Sequence, residues 1–453
     1  MKSPLTLLHL ACAALAALAA SAPAAAETVV LRGGILHTVS GPTLTNAPLV
    51  LRHGLIAAVG TEPAQAPDRV VELNGAHVFP GLIAPLTLLG LVEIDAVRAT
   101  RDSNEVGEFT PDVYAWLAVN PDSELIPVAR ANGYTHAQAT PSGGLVAGHS
   151  SVIALHGWTI EETAVRRVTG LHVAWPPFAL NTTPRSESPQ PDRWRSIEDQ
   201  IRDRERRLRD LDEFFNEAEA YARRRAASSF TTERPRLPGE PNPRPEPPSD
   251  GFLPVPAWEA MLPVLRGEIP VFLHANEIRQ IRSALEWAAR RHYRVVLAGG
   301  RDAWRLPDDL ARQGVPVAFD HVFTLPARDT DPYDVHFTAP AVLARAGVKF
   351  AFSGGADRFG ASNVRNIPYA ASHAVAFGLP RDEALRALTL HPAQMLGLGD
   401  RLGSLEAGKD ATLFVADADI LDLRANVLRM WIAGREVPLE TRHTRLYERY
   451  RAR

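Results

Sequence analysis

The hydrophobic positions of this chain change their spacing four times, and each change marks a different kind of element. Leu5 to Ala20 is one apolar run behind Lys2, and it ends at the small residues Ala24-Ala25-Ala26. A basic start, a short apolar stretch and small residues at the end read as a cleaved secretory signal over 1–26, too short for a spanning helix. Residues 28–79 then read as short strands, among them 29–32, 49–52 and 55–60, with His53-Gly54 at a tight hairpin turn. Residues 80–180 mix strand-like apolar runs, such as 134–139, with polar loops. The period becomes helical at Ile197, Ile201, Leu208, Leu211, Phe215, Ala218 and Ala222, behind a capping pair of Ser196 and Asp199. From 257 onward strands alternate with helices: strands over 270–273, 294–298, 315–319 and 348–352, helices over 278–291, 303–313, 340–346 and 380–388. Repeats of that length predict a parallel sheet with crossover helices. Residues 411–416, 427–432 and 435–437 return to strands.

Composition narrows the class. Of 453 residues, 45% are hydrophobic and 22% charged, which suits a globular chain and excludes a largely disordered one. A net charge of −3 supplies no basic field for nucleic acid. The single cysteine, Cys12, lies in the signal-like run, so the rest of the chain has no disulfide framework, cysteine zinc site or cysteine nucleophile. Between Arg195 and Arg225 nine arginines face nine acids, the pattern of a solvated helix laced with ion pairs. Nine prolines in the 23 positions 234–256 mark a stiff linker or surface excursion. Lys2, Lys349 and Lys409 are the only lysines.

Three segments together carry a family resemblance. Residues 75–83, Gly-Ala-His-Val-Phe-Pro-Gly-Leu-Ile, resemble the entry into the first barrel strand of the amidohydrolase superfamily. Ala384-Leu385 through Thr389, then Pro392-Ala393 and Leu396-Gly397, resemble its last barrel helices. Residues 403–411, Gly-Ser-Leu-Glu-Ala-Gly-Lys-Asp-Ala, are similar to its return into a β-sandwich. The branch most similar is that of imidazolonepropionase-like proteins. The resemblance implies an α/β fold: a (β/α)8 TIM-like barrel over 80–395, a small β-sandwich from 27–79 and 396–453, and an insertion over 185–256.

It also implies metal-assisted hydrolysis at the C-terminal mouth of the barrel, where a divalent ion lowers the pKa of bound water to about 7. The ligands implied are a His-x-His pair on strand 1, histidines on strands 5 and 6, an aspartate on strand 8 and often a carboxylated lysine on strand 4. Here Ala84, Leu86 and Leu88 stand in the strand 1 pattern, no lysine falls on strand 4, and Gly299 ends strand 6. His274 matches strand 5, next to Asn276. On strand 8 either Gly355 takes the acid's position or Asp357 reaches it. The expected site is therefore Asp357 as catalytic acid, with His274, Asn276 and His149 binding substrate. At most one zinc-like ion is expected, held by His274. His136, Glu93, Asp95 and Glu105 are further candidates for a rebuilt site.

Two readings follow. One is an envelope enzyme cleaving C–N bonds in small amides, acylated amino acids or dipeptide-like molecules. The other is a non-catalytic relative that binds a small ligand or pairs with an active paralogue. A periplasmic or secreted location is expected, with no membrane span and no nucleic acid, and with a homo-oligomer among the partner options.

Overall fold

In the computed structural model, residues 27–227, 253–357 and 359–453 are described. The signal-like segment 1–26 and most of the proline-rich run lie outside them.

Both chain ends build the sandwich. One sheet orders strands Leu55–Val59, Leu49–Arg52, Val29–Arg32 and Arg69–Glu72; the other orders Arg435–Glu436, Val427–Ile432, Leu413–Ala416, His77–Pro80, Ile35–Leu36 and Leu44–Thr45. Leu31, Leu49, Val78, Leu413 and Trp431 fill the space between them. His53 and Gly54 turn the first hairpin with φ of 54° and 77°, the two positive angles that a two-residue I′ loop requires.

Eight strands form the barrel: β1 (Leu82–Thr87), β2 (Tyr134–Ala139), β3 (Val146–Ala154), β4 (Ala164–Ala174), β5 (Val271–Ala275), β6 (Val295–Gly299), β7 (Val317–Phe319) and β8 (Phe350–Phe352). Pairing is parallel from β4 through β8 and between β1 and β2. β3 runs antiparallel to both its neighbours. The cause is connection length. A parallel return needs a crossover of a dozen or more residues, and the links on either side of β3 are too short for one. The fold is thus a TIM-like barrel with one reversed strand, not eight uniform βα repeats.

Side chains alternate along each strand. Leu82, Leu171, Leu273, Leu297, Phe319 and Phe350 face outward to the helices. Ile83, Val152, Phe272, Val296, Ala318 and Ala351 point inward, and Met395, Leu398 and Leu402 seal that inner core. β1 and β8 share no ladder. Their seam is closed by Ser353, whose Oγ donates to the carbonyls of Pro85 (2.9 Å) and Leu86 (3.3 Å).

The helices that matter below are α1 (Ile197–Ala227), α2 (Pro256–Leu265), α3 (Ile278–Arg290), α4 (Pro307–Gln313), α5 (Val335–Arg345) and α6 (Leu390–Met395). Ser196 caps α1 as its sequence predicts, accepting the Asp199 N–H at 3.0 Å. The acids of α1 are not all left to solvent. Leu211, Phe215, Ala218 and Tyr221 are buried against the barrel layer. Beside them, Asp212 and Glu219 each accept from Arg291 at 2.8 Å.

Gly81 joins sandwich strand His77–Pro80 to β1 where the two layers meet. A Cβ there would lie 2.1 Å from Thr135 Oγ1 and 2.8 Å from Thr135 Cβ on β2. Thr135 is β-branched and buried, so it has little freedom to swing away. Gly81→Ala is expected to destabilise the fold by about 1–3 kcal/mol through overpacking, measured by urea unfolding. Pairing it with Thr135→Ala should recover most of the loss. A neutral Gly81→Ala would contradict the close approach.

Candidate active site at the barrel mouth

Inward positions at the C-terminal strand ends are where a barrel of this kind places chemistry. On β5 the inward pair is Phe272 and His274, and on β4 it includes His172. His172 Nδ1 and His274 Nε2 lie 2.8 Å apart, so one ring donates and the other accepts. Both rings are held neutral. Burial pushes His274 down to about 4, and burial with the neighbouring imidazoles holds His172 well below the usual range. His172 Nε2 is buried without a hydrogen-bond partner. A histidine ligates metal through a ring lone pair, and the Nε2 of His274 is already engaged.

A second group sits over β5, β6 and β7. Asn276 Oδ1 accepts from His321 Nε2 at 2.7 Å and from the Arg301 N–H at 3.3 Å. Because that oxygen only accepts, the proton of His321 is on Nε2. Burial and the charges of His336 and Arg301 push His321 down to about 3. Asp320 precedes it, with its side chain 22% exposed to the mouth. Asp320 Oδ1 stands 3.1 Å from His321 Nε2 but makes no aligned hydrogen bond, because that N–H is spent on Asn276. Burial and the nearby Asp357 carboxylate push Asp320 up to about 7.

Two glycines make this packing possible. A Cβ on Gly299 would lie 2.5 Å from Asn276 Oδ1, and one on Gly355 would lie 2.9 Å from Asp320 Oδ2. Their φ values of 87° and 78° also disfavour any side chain. The loop that carries His321 onward is anchored by Arg328, which donates to Asp302 at 3.2 and 2.5 Å and to Asp331 at 3.4 Å. Asp302 in turn accepts the first N–H of α3 at 3.1 Å. This buried ion network fixes the loop against the end of β5.

Several sequence expectations change here. Asp357 is exposed and accepts the Phe359 N–H at 3.0 Å, which is turn chemistry; the acid that enters the mouth is Asp320. His149 faces outward from β3. Its Nε2 bonds the Ala260 carbonyl of α2 at 2.9 Å beneath the Tyr114 ring, so it binds nothing in the mouth. His274 and Asn276 do belong to the mouth, although each is committed to another histidine. His136 is buried against Thr135 Oγ1 at 3.1 Å. Glu93 accepts from Ser123 Oγ at 2.5 Å, Asp95 is 3.9 Å from Arg101, and Glu105 is exposed. None of these rebuilds a site. Leu86 and Leu88 do not share a face either. β1 bulges at Leu86, which adopts φ 50° and gives its N–H to Gln138 Oε1 at 3.1 Å. Leu86 therefore joins the inner core, while Leu88 packs with Val92 and Ala361. Asp320, His321 and His172 were not anticipated. The available signal was the polar pair Asp320-His321 directly after the apolar run of β7.

The donor set does not fit the two-metal centre that the resemblance implies. Among the described residues no three His, Cys, Asp or Glu side chains converge as a metal site. The two histidines nearest that role bond each other. The arrangement offers instead a neutral imidazole pair, an amide oriented by His321, and a carboxyl near its titration point.

The sign of the Asp320 shift gives a test. Its folded pKa lies above the unfolded one, so its contribution to stability is fully present below about pH 4 and is lost as pH rises through about 7. Asp320→Asn removes the cost of ionising a desolvated acid. Relative to its effect at pH 4, the variant should gain on the order of 2 kcal/mol at pH 8, read by chemical denaturation at both pH values. A pH-independent difference would contradict the assignment.

Comparison with known proteins agrees with this architecture. The profile of the amidohydrolase family matches residues 376–438. Amidohydrolase tasK of Hapsidospora irregularis is 26% identical over 186 residues, which are 39% of this chain and 18% of that protein. The N-substituted formamide deformylase of Arthrobacter pascens is 50% identical over 48 residues, 11% of this chain and 9% of that protein. The chain thus spans under a fifth of the length of either. An amidohydrolase structure from Thermotoga maritima MSB8 superimposes with a TM-score of 0.74 at 24% identity, covering 90% of this chain and 99% of that one. Profile and local identities each match part of the chain, the whole-chain likeness is one of fold, and all three point to the amidohydrolase superfamily.

Proposed function

We propose that this chain is a small-molecule-binding member of the superfamily, located in the cell envelope, in which the family's metal-assisted hydrolysis is not in use. The observation that carries the reading is the His172–His274 hydrogen bond, which occupies the one strand-5 ligand that the sequence retains. Leu86, Leu88 and Gly299 in the other ligand positions support it. The signal-like 1–26 segment supports the location.

The ligand class follows from the mouth's remaining groups. A carboxyl titrating near 7 donates to a carbonyl when protonated and accepts from an N–H when ionised. Asn276 offers a further amide beside it, and Phe272 on the same inward face of β5 adds apolar surface below. An amide, an acylated amino acid or a dipeptide-like molecule presents both hydrogen-bonding partners and an apolar body. Metal-independent hydrolysis is the second reading, and it rests on Asp320: an acid near neutral titration is suited to move a proton. Pairing with an active paralogue has no comparable observation behind it.

Calorimetry and a hydrolysis assay on the same panel of N-acyl amino acids and dipeptides separate these readings. Saturable binding is expected, without turnover, unchanged by 1,10-phenanthroline and weakened about tenfold by Asn276→Ala. Turnover lost in Asp320→Asn and indifferent to chelator would establish the second reading. Turnover abolished by chelator and restored by zinc would overturn both.

A further inference from the structure

The largest cavity described lies at the opposite end of the barrel from the mouth. It measures about 780 Å³ and opens at the N-terminal ends of β6, β7 and β8, between α3, α4 and α6. Ligand sites commonly enclose roughly 300–1,000 Å³. Leu285, Ala288, Val296, Leu310 and Met395 give it an apolar floor. Val296 and Met395 also belong to the barrel's inner core, so the floor is fixed by packing.

Its charged rim residues are Arg294 and Lys349, with His292 beside them, and among the described residues no Asp or Glu lines it. The C-terminal ends of α3, α4 and α5 reach the same face and carry partial negative charge, which a nearby cation offsets. Arg294 is engaged elsewhere, donating to the carbonyls of Gly267 at 3.2 Å and Glu268 at 3.4 Å just beyond α2. Lys349 is not. It is exposed, and its ammonium makes no hydrogen bond or ion pair with any described residue. Lys409, the other lysine described, is buried and donates to Ser404 Oγ at 2.6 Å and the Gly399 carbonyl at 2.7 Å. In a chain that uses arginine almost everywhere, a lysine with an unpaired ammonium stands over this apolar-floored groove.

We propose that this groove is a second binding site, separate from the mouth, for a small organic carboxylate with an apolar body. The anion meets Lys349 and His292 at the rim, and the body covers Leu285, Leu310 and Met395.

The scarcity of lysine makes the test direct. The folded full-length chain is acetylated with a water-soluble N-hydroxysuccinimide ester, and peptide mass spectrometry follows Lys349, with buried Lys409 as internal reference. The carboxylate 4-phenylbutyrate should slow Lys349 acetylation about fivefold at saturating concentration, while the neutral 4-phenylbutanamide should not. Lys349→Glu should weaken calorimetric binding of 4-phenylbutyrate about tenfold or more. Its melting temperature should match the parent, since the side chain is exposed. No protection, or equal protection by the amide, would overturn the proposal, as would unchanged binding to Lys349→Glu.

Discussion

The mouth of an eight-stranded barrel has room for a small number of inward side chains, and each must find a hydrogen-bond partner, a ligand or an apolar neighbour. In this chain most of the layer satisfies itself. His172 and His274 bond each other, and His321 is spent on Asn276. Leu86 and Leu88 fill apolar clusters. Asp320 is left with an unpartnered oxygen and His172 with an unpartnered Nε2, and burial beside the Asp357 carboxylate raises the Asp320 pKa. Much of the local structure follows from this economy. Gly299 and Gly355 have no side chain because Asn276 and Asp320 occupy the space it would need.

The scaffold supports the same arrangement. The reversed β3 brings Ser150 beside Gln138 of β2, which donates to it at 2.8 Å, and Gln138 in turn accepts the displaced N–H of Leu86 at 3.1 Å. The bulge at Leu86 is therefore held by a polar contact inside the barrel. It also breaks the two-residue period that a His-x-His pair would need to aim both rings inward. The loss of family ligands on β1 is thus a change of backbone as well as of side chains.

Much of the fold was legible in sequence because it rests on local rules. Helical spacing marked α1 and α3, turn chemistry marked His53-Gly54, and the segment at 403–411 marked the return to the sandwich. The reversed strand was not legible, because strand direction depends on connection length and the apolar runs of β2 to β4 read alike in either sense. In the mouth, sequence position located His274 and Asn276. It misassigned Asp357 and His149, whose side-chain directions are decided by a turn and by strand alternation. Asp320 escaped notice because an acid after a strand is common, and its importance comes from burial that only packing creates.

The central claim is that His274 Nε2 is committed to His172 and not to a metal. Its most direct test is elemental mass spectrometry on untagged protein, before and after incubation with zinc or manganese and removal of excess ion. The account predicts no stoichiometric metal in either state, for the parent chain and for His274→Ala alike. About one zinc per chain, lost in His274→Ala, would contradict it.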